Sequence, residues 1–120
     1  MKFTVHQIQI ARSVYNEVNA LGHEEAAVKF PEYRAYMDTM FRGSKGFKPE
    51  YEKYYSPVCV IEAEDLNQVF DIGNIGPEER IERIAPMHSV SVGDIIECGG
   101  TDKIRGVRFM VDSMGFKELV

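Results

Sequence analysis

Apolar and polar positions change rhythm along the chain, and each change marks an element. Residues 2–10 alternate partially, with β-branched and aromatic side chains, and predict an opening strand. From about Arg12 the spacing becomes helical through Val14, Tyr15, Val18 and Leu21, and Gly22 offers a stop. A second helical stretch begins near Glu24 and Glu25, whose carboxylates suit a helix N-terminus. Pro31 must interrupt it or open a new helix, because proline fits a first turn and not an interior. Between Pro31 and Arg42, the residues Tyr33, Tyr36, Met37, Met40 and Phe41 form a broad apolar face, read as core. Gly43-Ser44-Lys45-Gly46 then breaks the chain, and one helical turn is expected after Pro49.

The second half reads mainly as β. Pro57 to Ala63 is the strongest strand, and its continuous apolar run predicts an interior position covered on both faces. Glu64 and Asp65 open a helix carrying Leu66, Val69, Phe70 and Ile72, with Gly73 as its stop. Residues 74–77 read as a turn and 78–84 as a charged connector open to helix. Asp94 to Cys98, Val107 to Val111 and Phe116 to Leu119 are three further strands, separated by turns at Gly99-Gly100 and at Asp112 to Gly115. The pattern predicts a single α+β domain over residues 1–120, a small, mostly antiparallel sheet with two to four packed helices.

Composition agrees with a folded domain. At 120 residues, 44% hydrophobic and 28% charged, the chain can bury one core without metal or disulfide support. Cys59 and Cys98 both lie in apolar strand-like runs, where free thiols behave as small hydrophobes. No signal-peptide pattern and no long apolar stretch is present, so a cytoplasmic protein is expected.

Charge narrows the partner classes. Residues 1–48 hold seven basic against five acidic side chains, and residues 49–120 hold seven against fourteen. A general nucleic-acid binder carries a basic surplus, and the net charge of −5 is the opposite. The local exception is the glycine-containing loop with Arg42, Lys45 and Lys48, where the nearby Phe41, Phe47 and Tyr51 are the right type to stack on bases. It lacks the spacing of a phosphate-binding P-loop.

Catalytic and metal patterns are weak. His88, Ser89, Ser91 and Asp94 bring together nucleophile, base and orienter types, yet real triads assemble from separated parts of a fold. Gly93 and Asp94 have a sufficient reason in the turn they make. If there were chemistry, His88 with Asp94 or Asp112 would be its first candidates. His6, His23 and His88 have no zinc spacing and the cysteines form no close pair, so neither metal nor cofactor is expected. Glu64 and Asp65 read as helix capping.

The segments Met87-His88-Ser89-Val90-Ser91-Val92-Gly93-Asp94-Ile95-Ile96 and Val111-Asp112-Ser113-Met114-Gly115-Phe116-Lys117-Glu118-Leu119 resemble those of the YodL-like family of small domains. The Tyr55–Val58 strand, the Asp65–Phe70 stretch and Asn74 fit the same layout, so the resemblance covers about residues 51–120. It implies an accessory protein of a phage or bacterial mobile element and implies no catalytic residues. The expected function is therefore binding to a host or defence protein. Tyr51, Tyr54 and Tyr55, of a type favoured at interfaces, join Arg42, Lys45, Lys48, His88, Ser89, Ser91, Asp94, Asp112 and Phe116 as candidate contact residues. The alternative is a nucleic-acid-binding module built on the Arg42–Lys48 loop and its aromatics.

Overall fold

The computed structural model describes residues 1–99 and 106–119. Its strands are β1 (Lys2–Ile8), β2 (Tyr55–Glu62), β3 (Ile81–Arg83), β4 (Ile95–Cys98), β5 (Val107–Asp112) and β6 (Gly115–Leu119), with helices α1 (Arg12–Leu21), α2 (His23–Lys29), α3 (Pro31–Arg42) and α4 (Leu66–Ile75). All six strands join one antiparallel sheet in the order β3-β2-β1-β4-β5-β6. The α+β expectation holds. The first strand lies in the middle of the sheet, so the N-terminal and C-terminal parts of the chain build one sheet. No helix among the described residues is long and apolar enough to cross a membrane.

Two local sequence effects place the helices. Gly22, at φ 88°, lets α1 end and α2 begin at once, while Pro31 opens α3 in the first-turn position. Asp65 caps α4: its carboxylate accepts from the Gln68 backbone N–H at 2.8 Å, and the Gln68 side chain accepts from the Glu64 N–H at 2.9 Å. This reciprocal arrangement satisfies donors that a helix start leaves open.

The sheet has two unequal cores. On β1, Phe3 and Val5 point to the face covered by α4 and the segment before β4, where they meet Ile61, Val69, Ile72, Val90, Ile96 and Val111. Ile8, of opposite parity along the strand, packs instead against Ala35 of α3 and Tyr51. The helices α1, α2 and α3 also pack on one another through Val14, Val18, Ala26 and Tyr33. The face expected on α3 is thus divided, since Phe41 is 70% exposed while Ala35 and Thr39 are buried.

Four sequence expectations change. The apolar run of β2 does not mark two covered faces. Val5 pairs Cys59 and His6 pairs Pro57, so Val58 is an extra residue, and Val58, Cys59 and Ile61 all enter the same core. Val60, on the other side, is only half-buried. Gly73 does not end α4, which runs to Ile75 with Gly76 at its cap. The charged connector contains a 3₁₀ turn, Glu78–Arg80, and the edge strand β3. Cys59 is buried, which pushes its thiol up to about 11, whereas Cys98 is half-buried. Of the turn expected at Gly99-Gly100, the second residue lies outside the described residues.

Gly73 is needed for contact. A Cβ there would stand 2.3 Å from Val90 Cγ2 and 3.0 Å from Val90 Cβ, and Val90 is fully packed. Gly73→Ala should therefore lower stability by about 1–3 kcal/mol, although alanine favours a helix interior over glycine. Chemical denaturation checks this. In a Val90→Ala background, which removes Cγ2 but keeps Cβ, the same substitution should cost clearly less, and equal losses in both backgrounds would refute the contact.

Candidate functional site

The face of β1 that carries Phe3 and Val5 next presents Gln7, a polar residue in an apolar register, fully buried. Its amide nitrogen has two hydrogens and two strong acceptors, Asp94 Oδ2 at 2.9 Å and the His88 carbonyl at 3.0 Å. Its oxygen accepts from the His88 N–H at 3.3 Å. Asp94 is 5% exposed, and the same Oδ2 accepts from the Ser91 N–H at 3.0 Å. The Asp94 N–H in turn donates to the Ser91 carbonyl at 3.1 Å. A single amide thus ties the segment before β4 to the central strand. Gln9 adds a bond to the Pro86 carbonyl, and Asn74 of α4 donates to the Val90 carbonyl at 3.0 Å.

Burial raises the Asp94 carboxyl to about 7, against the opposing pull of His88, the Ser91 N–H and Gln7. Tyr55 and Tyr36 lie beside the same group. The Tyr55 hydroxyl donates to the Gly93 carbonyl at 2.5 Å, and burial pushes both phenols up, Tyr36 to about 12. A small cavity of about 20 Å³ among Ile8, Thr39, Tyr55, His88 and Asp94 is too tight for a substrate.

The geometry does not assemble a triad. His88 Nδ1 stands 2.8 Å from the Ser89 carbonyl, an acceptor only, so Nδ1 carries the proton. The same atom is 3.4 Å from Ser91 Oγ and cannot take that hydroxyl's proton, while Ser91 Oγ lies 3.2 Å from the Ser89 carbonyl and donates there. Asp112 is committed elsewhere, so a His88–Asp112 pair is also ruled out. His6 pairs with Glu97 at 3.0 Å, and His23 with the Tyr33 hydroxyl at 2.6 Å. The histidines serve three separate places.

Asp112 closes the other notable arrangement. Its two carboxylate oxygens accept from the Ser44 N–H and the Ser44 hydroxyl, each at 2.7 Å. Gly43 lies so close that a Cβ there would overlap the Asp112 carboxylate. The Gly43–Gly46 segment, expected to be a flexible loop, is a 3₁₀ turn clasped to the end of β5. This clasp brings Arg42 and Lys45, both exposed, to the same end of the sheet as Phe116. Phe41 lies two residues before the clasp, and Met114, 92% exposed, lies two residues after it.

Two open cavities flank β6 there. One, about 650 Å³, lies between the sheet and the 3₁₀ turns and is lined by Lys45, Phe47, Pro49, Arg108, Lys117 and Leu119. Arg108 is paired with Glu52 inside it. The other, about 390 Å³, lies on the α4 face and is lined by Asn67, Phe70, Asp71, Val111 and Phe116. A third, about 380 Å³, sits beside β3 with Asn74, Arg83, Met87, His88 and Ser89. Arg83 there is bonded to Glu78 at 2.6 Å.

The tyrosines are mostly structural. Tyr51 is 7% exposed, its hydroxyl donates to Asp38 at 2.5 Å, and burial with that carboxylate raises it to about 12. It cannot offer a face to a base, and the Lys48 ammonium covers its ring at 5.8 Å. Lys53 lies over Tyr54 at 5.2 Å. The candidate residues thus fall into three groups, one around Asp94, one around Asp112, and Lys48, Tyr51 and Tyr54 at the 3₁₀ turn that follows Lys48. Sequence reasoning missed Gln7, Gln9 and Asn74; the signal for Gln7 was a polar residue in phase with Phe3 and Val5.

The Asp94 geometry sets a pH dependence. Its ordinary value of 3.8 is raised to about 7 in the fold, so the native state holds a proton that the unfolded chain has lost between those values. Stability contributed by this group is full at low pH, falls as pH rises through that window, and is flat above it. Asp94→Asn keeps an oxygen for Gln7 and Ser91 and removes the charge. Urea midpoints should decline from pH 5 to pH 8 in the natural protein and stay level in the variant. Parallel curves would disprove the assignment.

No protein-family model, curated protein or solved structure matches the chain.

Proposed function

We propose that this chain is a YodL-like accessory protein of a phage or bacterial mobile element, acting in the host cytoplasm by binding a protein partner. The observation that carries the binding reading is the end of the sheet at Asp112. Phe41 and Met114, both exposed, lie two residues from Gly43 and Asp112 along the chain, and two cavities of several hundred Å³ open on either side of β6. Exposed large apolar groups beside rimmed cavities are characteristic of binding surfaces.

The family reading draws on the two resembling segments, which meet in space. The Gly93 N–H donates to the Val111 carbonyl and the Val111 N–H to the Asp94 carbonyl, both at 2.9 Å. One segment supplies a turn, the other the hairpin that continues from it. The nucleic-acid alternative keeps the exposed Arg42, Lys45 and Lys48, but of its aromatics only Phe41 is exposed, while Phe47 is half-buried and Tyr51 buried. The protein-binding reading is therefore the better supported.

A photo-crosslinking residue placed at Met114 of the full chain, expressed in host cells, should capture a specific protein; the same residue at Ile84, exposed near the opposite edge of the sheet, should not. The double substitution Phe41→Ser and Met114→Ser should abolish capture of that protein by a tagged chain while leaving the thermal midpoint within about 2 °C. Absence of any protein specific to Met114, or capture unaffected by the double substitution, would sink the reading.

A further inference from the structure

Among the described residues β6 is the outermost strand at its end of the sheet. An edge strand turns the N–H and C=O of alternate residues outward, where another strand can pair with them. The opposite edge, β3, is three residues long, while β6 has five. The register assigns the β6 side chains to faces. Phe116 and Glu118 pair with Val111 and Phe109 on the α4 side, and Lys117 and Leu119 pair with Met110 and Arg108 on the 3₁₀ side.

Each face of an added strand would meet a cavity with its own chemistry. On the 3₁₀ side lie Lys117 and Lys45, both exposed, with the apolar Phe47 and Leu119, the Arg108–Glu52 pair, and Glu118 at the rim. On the α4 side lies Asp71 with the apolar Phe70 and Phe116. We propose that β6 takes up an extended segment of the partner protein as a seventh strand, with an acidic residue of that segment opposite Lys117 and apolar or basic residues toward Phe116 and Asp71. This rests on the protein-binding reading above and specifies its mode.

A second copy of the chain is the obvious rival occupant, and its charges disfavour it. Antiparallel pairing of β6 with itself keeps each face continuous, so a register centred on Lys117 places lysine opposite lysine. One centred on Glu118 places glutamate opposite glutamate, and one centred on Phe116 pairs only residues 115–117. Like charges directly opposite in a sheet are destabilising. A heterologous strand with an acid at that position gains where a copy loses.

The test uses the full chain as bait for a displayed library of random short linear peptides. Enriched sequences should alternate apolar and polar residues and carry an acidic residue at a fixed position. Synthetic copies of the winners should protect the amides of residues 115–119 from hydrogen exchange. Lys117→Glu should weaken these peptides by roughly three- to tenfold, and the same library selected against Lys117→Glu should enrich a basic residue instead. Lys117 is exposed, so an unchanged thermal midpoint serves as the folding control. Failure to enrich peptides, enrichment with no acidic preference, protection outside β6, or dimerisation of the chain in sedimentation would each overturn strand addition. A protein captured through Met114 whose binding ignores Lys117→Glu would overturn this mode and leave the broader binding reading standing.

Discussion

One buried side-chain amide organises the C-terminal half of the molecule. Gln7 lies at the end of the central strand, and its two hydrogens go to the Asp94 carboxylate and the His88 carbonyl. Leaving either acceptor bare in the interior would cost about 1–3 kcal/mol or more, so the segment from Pro86 to Asp94 has one favourable position against the sheet. The Val58 bulge acts in the same sense, because its carbonyl accepts from both Ile84 and Ala85. A stretch with no regular secondary structure is thereby tied to β1, β2 and α4.

From Asp94 the order propagates by backbone contacts. Asp94 and Gly93 exchange bonds with Val111, the next residue is Asp112, and Asp112 holds Ser44 by two bonds. Gly93, at φ 95°, also lies against the Thr39 backbone of α3, where a Cβ would come within 2.9 Å. The turn before β4 therefore touches the helix layer on one side and the β5–β6 hairpin on the other. The basic segment after α3 is fixed relative to β6 by its own Ser44 and Gly43, which meet Asp112.

Much of this was legible from the chain. The period changes placed all four helices and five of the strands, because a one-sided core imposes the spacing of Val14 and Val18 or of Phe3 and Val5. Two failures have a physical cause outside local pattern. Gly73 looks like a helix stop, and only the packing of Val90 against it explains a glycine inside α4. The apolar run at Val58–Ile61 looks doubly buried, and only the pairing with β1 reveals the extra residue. The candidate site was half legible. Ser91 and Asp94 were correctly read as a turn, while Asp112 was considered for chemistry and proves to be a clasp. Gln7, far away in sequence, could be suspected only from its phase in the strand.

The two polar centres differ in what they put at risk. Asp94 and Gln7 are buried and bonded to three separate parts of the chain, so change there alters folding first. On β6 only Phe116 and Leu119 are half-buried, and Lys117 and Glu118 are exposed on opposite faces. Surface charges of this kind can vary at a cost within about 0.5 kcal/mol, while a cross-strand charge opposite them still discriminates among partners. The architecture therefore separates a rigid interior, set by Gln7 and Asp94, from an edge whose side chains are free to specify what binds. An open edge is ordinarily a hazard for self-association; the central Lys117 and Glu118 work against it, because the registers centred on them set like charges opposite each other.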